Sequence, residues 1–138
     1  MTMTAWLNTA DQFAPGAALY RSERCFTMWA YTISHGQLLF RSPQGRDWLG
    51  GDHDTTIDVL FKPVIAMKLQ DRYSGLVFRC ATDDEAAHIL AALPHVELFP
   101  DDRIIVLEGA GTTGYLVCKA MGWHEDVLDV RQASFFDL

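Results

Sequence analysis

Apolar and polar residues alternate along much of this chain with the period of two that a half-buried strand requires. Cys25 to Ile33 is rich in aromatic and β-branched residues, and Gln37 to Arg41 is again apolar. Ser34-His35-Gly36 lies between them, so strand–turn–strand is expected, with Gly36 at the reversal. Phe26, Met28 and Ala30 would share one face of the first strand, and Thr27, Trp29, Tyr31 and Ile33 the other. Both faces are largely apolar, which predicts cover on both sides. Residues 43–54 read as a loop. A strand follows from Thr55 to Phe61, and Pro63 should interrupt its pairing because it has no N–H to donate. Val64–Leu69 and Leu76–Ala81 read as further strands around a turn at Asp71–Gly75. Thr82 with Glu85 three positions on is a capping-box pattern, and Pro94 is a stop, so a helix is expected over 83–93. Ala86, Ile89 and Leu93 form its apolar stripe. Strands over 103–108 and 115–123 complete the pattern. The implied fold is α+β: a mainly antiparallel sheet of about seven strands with one main helix packed on it.

The length of 138 residues suits one domain, with residues 1–24 as an irregular N-terminal arm, 25–124 as the core and 125–138 as an acidic tail. An apolar content of 49% excludes a disordered chain. No apolar run approaches the roughly 20 residues that span a bilayer. The first residues, MTMTAWLNTADQF, lack the basic and apolar segments of a signal peptide, so the expected compartment is the cytoplasm. Cys25, Cys80 and Cys118 are odd in number and widely spaced, each in an apolar stretch. They read as buried free thiols rather than a disulfide framework or a zinc knuckle.

The formal charge of −7 disfavours nucleic acid and anionic membranes as partners. The charge is uneven. Residues 1–80 carry eight Lys/Arg against seven Asp/Glu, while residues 81–138 carry three against eleven, a net −8. Such a balance suggests an acidic face for a basic protein partner, with Asp101, Asp102, Glu125 and Asp126 as its expected contacts.

Three stretches could carry chemistry. Gly109, Gly111 and Gly114 fit G-x-G-x-x-G after the strand-like IIVL, and over about 28 residues the segment resembles a dinucleotide-binding fingerprint. That resemblance implies a phosphate cradle at a helix N-terminus. The Tyr-Leu-Val-Cys that follows favours a strand, and a glycine-rich hairpin is the competing reading. Whether residues 112–121 are helix or strand separates the two. Asp52, His53 and Asp54 could bind a divalent metal, or His53 could act as a base oriented by a carboxylate. His124-Glu125-Asp126 lacks the second histidine of H-E-x-x-H. His35, His88 and His95 stand alone. No nucleophile elbow, Walker A sequence, EF-hand loop or kinase signature is present.

Trp29, Tyr31, Ser34 to Gly36, Leu38, Leu39, Arg41 and Ser42, followed by Ile57 to Lys62, make a W-x-Y-x-x-S-H-G-x-L-L-x-R-S … I-D-V-L-F-K pattern. Over about 40 residues it resembles small bacterial proteins of unassigned function. The resemblance implies a bacterial, sheet-rich domain and supplies neither substrate nor catalytic residues. The sequence thus leads to a non-enzymatic binding domain with no assigned catalytic residue or cofactor. The first alternative is a small-molecule or nucleotide binder or enzyme using the Gly109–Gly114 loop or the Asp52–Asp54 loop. A homodimer paired along an exposed edge strand is the third option.

Overall fold

The computed structural model describes residues 3–128 together with 132, 134 and 136. Its strands are β1 (Met3–Leu7), β2 (Ala18–Thr32), β3 (Gln37–Ser42), β4 (Gly45–Arg46), β5 (Asp52–His53), β6 (Thr56–Lys62), β7 (Ala66–Lys68), β8 (Arg72–Cys80), β9 (Arg103–Gly109), β10 (Thr112–Cys118) and β11 (Ala120–Asp126). One α-helix, α1 (Asp83–Ala91), is found among the described residues. Nine strands form one antiparallel sheet in the order β1-β11-β6-β3-β2-β8-β9-β10-β7, and β4 pairs with β5 separately.

The order hides a closure. β6 and β7 are two halves of one bent run, and so are β10 and β11. β11 pairs with β6 through Ala120↔Lys62 and Met121↔Phe61, and β10 pairs with β7 through Val117↔Ala66 and Leu116↔Met67. Between the two ladders, residues 63–65 face residues 118 and 119, so one extra residue forms a bulge. Ile65 N–H donates to the Val117 carbonyl at 3.0 Å within that bulge. The sheet therefore curls into a closed barrel of six runs, and β1 adds to the outside edge of β11. Closure brings rings from separated strands together. Phe61 of β6 and Phe78 of β8 are 5.0 Å apart, and Phe40 of β3 meets both at 6.3 and 6.0 Å. With Leu38, Ile57, Val59, Leu76, Ile105, Leu107 and Leu116 they form one interior cluster.

The sheet is mainly antiparallel with one helix, as expected, but it has nine strands rather than about seven. Pro63 splits one expected run as the sequence suggested, and Lys119 splits another, which the sequence did not mark. The segment read as an irregular arm supplies β1, which pairs with β11, and the first seven residues of β2. The expected turn at Asp71–Gly75 is largely strand: Tyr73 is buried and pairs with Phe26. The helix ends at Ala91, two residues early, with Ala92 as its cap. The expected two faces of β2 do not run through. A register shift between Met28 and Ala30 inserts Trp29 as an extra residue, and Trp29 and Tyr31 are left about 40% exposed, at 41% and 40%. The expected cover on both sides is therefore missing at the end of that hairpin.

On the outer face of β3 and β6, Arg41 and Asp58 form a two-pronged ion pair at 2.7 and 3.0 Å, each side chain 1% exposed. The Trp29 ring covers the guanidinium at 5.1 Å. Removing one partner from a buried pair leaves the other charge stranded, which costs far more than the pair itself is worth. Asp58→Ala should therefore destabilise the chain by about 3–5 kcal/mol. Urea unfolding followed by tryptophan fluorescence measures this, and a loss below about 1 kcal/mol would show that Arg41 finds water instead.

Candidate functional site

The helix lies across the outer face of the barrel over β9, and its position is set by one arginine. Arg79 of β8 donates Nη1 and Nη2 to the two carboxylate oxygens of Glu85 at 2.6 and 2.7 Å, and Nε to Glu108 of β9 at 2.6 Å. Glu85 also closes the capping box: it accepts from Thr82 N–H at 3.0 Å, while Thr82 Oγ1 accepts from Glu85 N–H at 3.2 Å. The Arg79 fork is the main reason that the Glu85 carboxyl is pushed down to about 2, with the Thr82 amide second. Ile89, Ala86 and Leu93 pack with Ala81, Val106, Ile104 and Tyr115, which is the stripe the sequence predicted.

Beside this contact a groove of about 450 Å³ opens between α1 and the β9–β10–β7 surface. Register builds its floor. Arg79, Val106, Tyr115 and Lys68 lie opposite one another in turn across β8, β9, β10 and β7. Neighbours in such a row have Cβ atoms about 5 Å apart. Val106 is buried, Tyr115 half-buried and Lys68 exposed. Asp84, His88 and Ala92, one helical turn apart, form the opposite wall. Gly114 makes the floor possible, because a Cβ there would stand 2.4 Å from the Lys68 carbonyl. Lys68 and His88 form no ion pair among the described residues, whereas Glu85 is held by Arg79. The groove has an apolar base, with the Lys68 ammonium, the His88 imidazole and the Asp84 carboxylate around its rim.

The glycines that the fingerprint resemblance would make a phosphate cradle lie instead in a hairpin, the competing reading. Gly109 pairs with Thr112, and the Ala110-Gly111 link between them is a tight reversal with Gly111 at φ +73°. Residues 112–118 and 120–126 are strands, so no helix N-terminus follows Gly114. Gly109 and Gly114 both lie against Tyr73, and their role is close packing.

In the Asp52–Asp54 loop the three candidate side chains part company. His53 Nε2 bonds to Asp47 Oδ2 at 2.8 Å, while Asp52 and Asp54 are exposed. Asp47 also accepts from the Leu49 and Gly51 amides, both at 2.9 Å, and lies against the Cys25 thiol. The bond from His53 is the chief cause that lowers the Asp47 carboxyl from its ordinary value. The Asp47 carboxylate thus contacts both the Cys25 thiol and the His53 imidazole. No group of three metal-ligating side chains occurs among the described residues. Cys25, Cys80 and Cys118 are buried and free, and burial pushes each thiol up.

The carboxylates expected to front a partner are largely spent within the fold. Lys119 Nζ bonds to both Asp101 and Asp102 at 2.8 Å. Glu125 accepts from Thr55 Oγ1 at 2.6 Å and lies 3.7 Å from Arg24. Asp126 lies 3.8 Å from His124. His124 itself is buried in a cross-strand row and bonds to Thr4 Oγ1 at 2.6 Å. His88 stands alone in the sequence, and no local pattern there marks Lys68, Thr113 or Tyr115. The i, i+4 spacing of Asp84, His88 and Ala92 was a legible signal for one wall, but the other wall depends on long-range register.

No family model matches the chain, and comparison with curated proteins and with solved structures gives no match. No helix among the described residues is long and apolar enough to cross a membrane.

The Glu85 contact predicts an acid response. A carboxyl held low when folded contributes stability that is complete above its ordinary value near 4.5 and is lost as the pH falls toward 2. Glu85→Gln keeps the cap but removes the charge, so the fall in stability between pH 4.5 and 2 should be shallower than in the wild type. At pH 6 the variant should lose about 1 kcal/mol, since the pair is partly screened by solvent. Equal slopes in pH-dependent urea titrations would show that the pair adds nothing.

Proposed function

We propose that this chain is a binding protein for a small organic ligand with a flat apolar body and one anionic group, taken up in the groove between α1 and β9–β10–β7. The groove itself carries the reading. Its volume of about 450 Å³ lies in the range of small-molecule sites, roughly 300–1,000 Å³. An apolar floor of Val106, Ile89 and Tyr115 offers contact area. Lys68, exposed and without an ion-pair partner among the described residues, offers the anion a cation at the rim. His88 on the facing wall adds a donor. Among the described residues no hydrogen bond joins a nucleophile to a base at this groove, so the reading is binding without turnover.

A basic protein partner is the less supported reading, because Asp101, Asp102 and Glu125 already have partners within the fold in Lys119 and Arg24. Nucleotide binding through Gly109, Gly111 and Gly114 lacks the helix that would hold the phosphate. A bacterial, cytoplasmic setting remains part of the proposal through the sequence pattern and the absence of disulfides among Cys25, Cys80 and Cys118.

The dye 8-anilinonaphthalene-1-sulfonate has the proposed chemistry and serves as the probe. Its fluorescence should rise saturably with the folded protein. Ala92→Trp, at an exposed position on the groove wall, should abolish the saturable rise. Lys68→Gln should weaken binding about tenfold. Binding unchanged in both variants, or absent in the wild type, would overturn the proposal.

A further inference from the structure

The two walls of the groove carry opposite charges. Asp84, in the first turn of α1, lines the helix side, and Lys68 of β7 lines the far side. Both residues are exposed, so a molecule lying in the groove can reach them. Between them the floor is apolar, with Val106 of β9 opposite Tyr115 of β10, and Tyr115 opposite Lys68. The helix lies over β9, and β10 and β7 follow it. Two interstrand spacings of about 4.8 Å therefore set the helix side and the Lys68 side roughly 10 Å apart.

The charges around this space favour a guest with more than an anion. Lys68 and Arg79 supply two positive charges, against three negative ones on Asp84, Glu85 and Glu108, an excess of one negative charge. Arg79 is engaged with Glu85 and Glu108 at 2.6 to 2.7 Å, so Asp84 and Lys68 are the charges that face a guest. An anion alone gains Lys68 but also meets Asp84. An ammonium at the other end of the same molecule turns that repulsion into a charge-assisted hydrogen bond. It also leaves the guest with no net charge to set against the excess. A guest with both charges on neighbouring atoms would answer one wall only, because the span calls for an apolar body between them.

We infer that the groove takes an end-to-end zwitterion: a flat apolar body over Tyr115, with an anionic group against Lys68 and an ammonium against Asp84. This rests on the reading of the groove as a small-ligand site, and adds to it the second charge and its position. A benzene ring with a charged substituent at each end has this chemistry.

Displacement of bound 8-anilinonaphthalene-1-sulfonate from the full chain, at constant pH and ionic strength, tests this with matched probes. 4-(Aminomethyl)benzoate carries both charges, 4-methylbenzoate only the anion and benzylamine only the cation. The first should displace the dye at concentrations about fivefold lower than either of the others. Phenylalanine, with both charges at one end, should displace it no better than 4-methylbenzoate. Asp84→Asn should remove the advantage of 4-(aminomethyl)benzoate over 4-methylbenzoate. Asp83→Asn makes the same change in net charge one position away, outside the groove lining, and should keep that advantage. Equal displacement by 4-(aminomethyl)benzoate and 4-methylbenzoate in the wild type would overturn the inference while leaving the groove as a site for the dye. So would phenylalanine matching 4-(aminomethyl)benzoate, an advantage that survives Asp84→Asn, or one lost equally in Asp83→Asn. Absence of saturable dye binding would instead remove the reading of the groove, and this inference with it.

Discussion

The ladder between the two bent runs, 56–68 and 112–126, is the contact on which the rest of this molecule depends. Without it the sheet would be an open antiparallel ribbon with two long edges. Long unpaired edges expose backbone donors and acceptors and invite pairing with other chains. Closure removes that liability over most of the sheet and gives the aromatic side chains an inside. Phe61 reaches Phe78 only because the sheet curls, since two strands separate them along the hydrogen-bonded order. The bulge at residues 63–65 is what allows one chain segment to serve both β11 and β10.

Closure also determines where binding can occur. The interior is filled by phenylalanines and leucines, so a ligand must use the outside. There, α1 covers only part of the β9–β10 surface, and the uncovered remainder becomes a groove. Arg79 holds the helix at this offset by joining Glu85 of α1 to Glu108 of β9. β7 supplies the far wall because the ladder brings it beside β10, and Gly114 lets its backbone approach. Part of the acidic excess of the second half of the chain is structural in this arrangement: Arg79 and Lys119 each gather two carboxylates.

Local signals were readable and distant ones were not. The Thr82–Glu85 box, the Ala86–Ile89–Leu93 stripe and the turn around Gly36 depend on neighbours in sequence, and the structure carries each of them. The strand after Gly114 was favoured by its β-branched and aromatic residues, and it is a strand. The barrel closure was invisible because it pairs residues 47 to 70 positions apart, and nothing local to Lys119 marks a break. Asp58 looked like the polar side of an alternating strand, yet it is buried against Arg41, 17 residues away. The groove shares this fate: His88 was visible on its helix, but Lys68 joins it only through the register of β7 with β10.

Amide hydrogen exchange at Ile65, Met67 and Leu116 tests the closed barrel most directly. If the ladder joins the two runs, Ile65, which donates to Val117, should exchange only through global unfolding, as slowly as the central amides of β3. Exchange of Ile65 at the rate of a fraying edge strand, with β3 still protected, would contradict closure and remove the wall on which the groove stands.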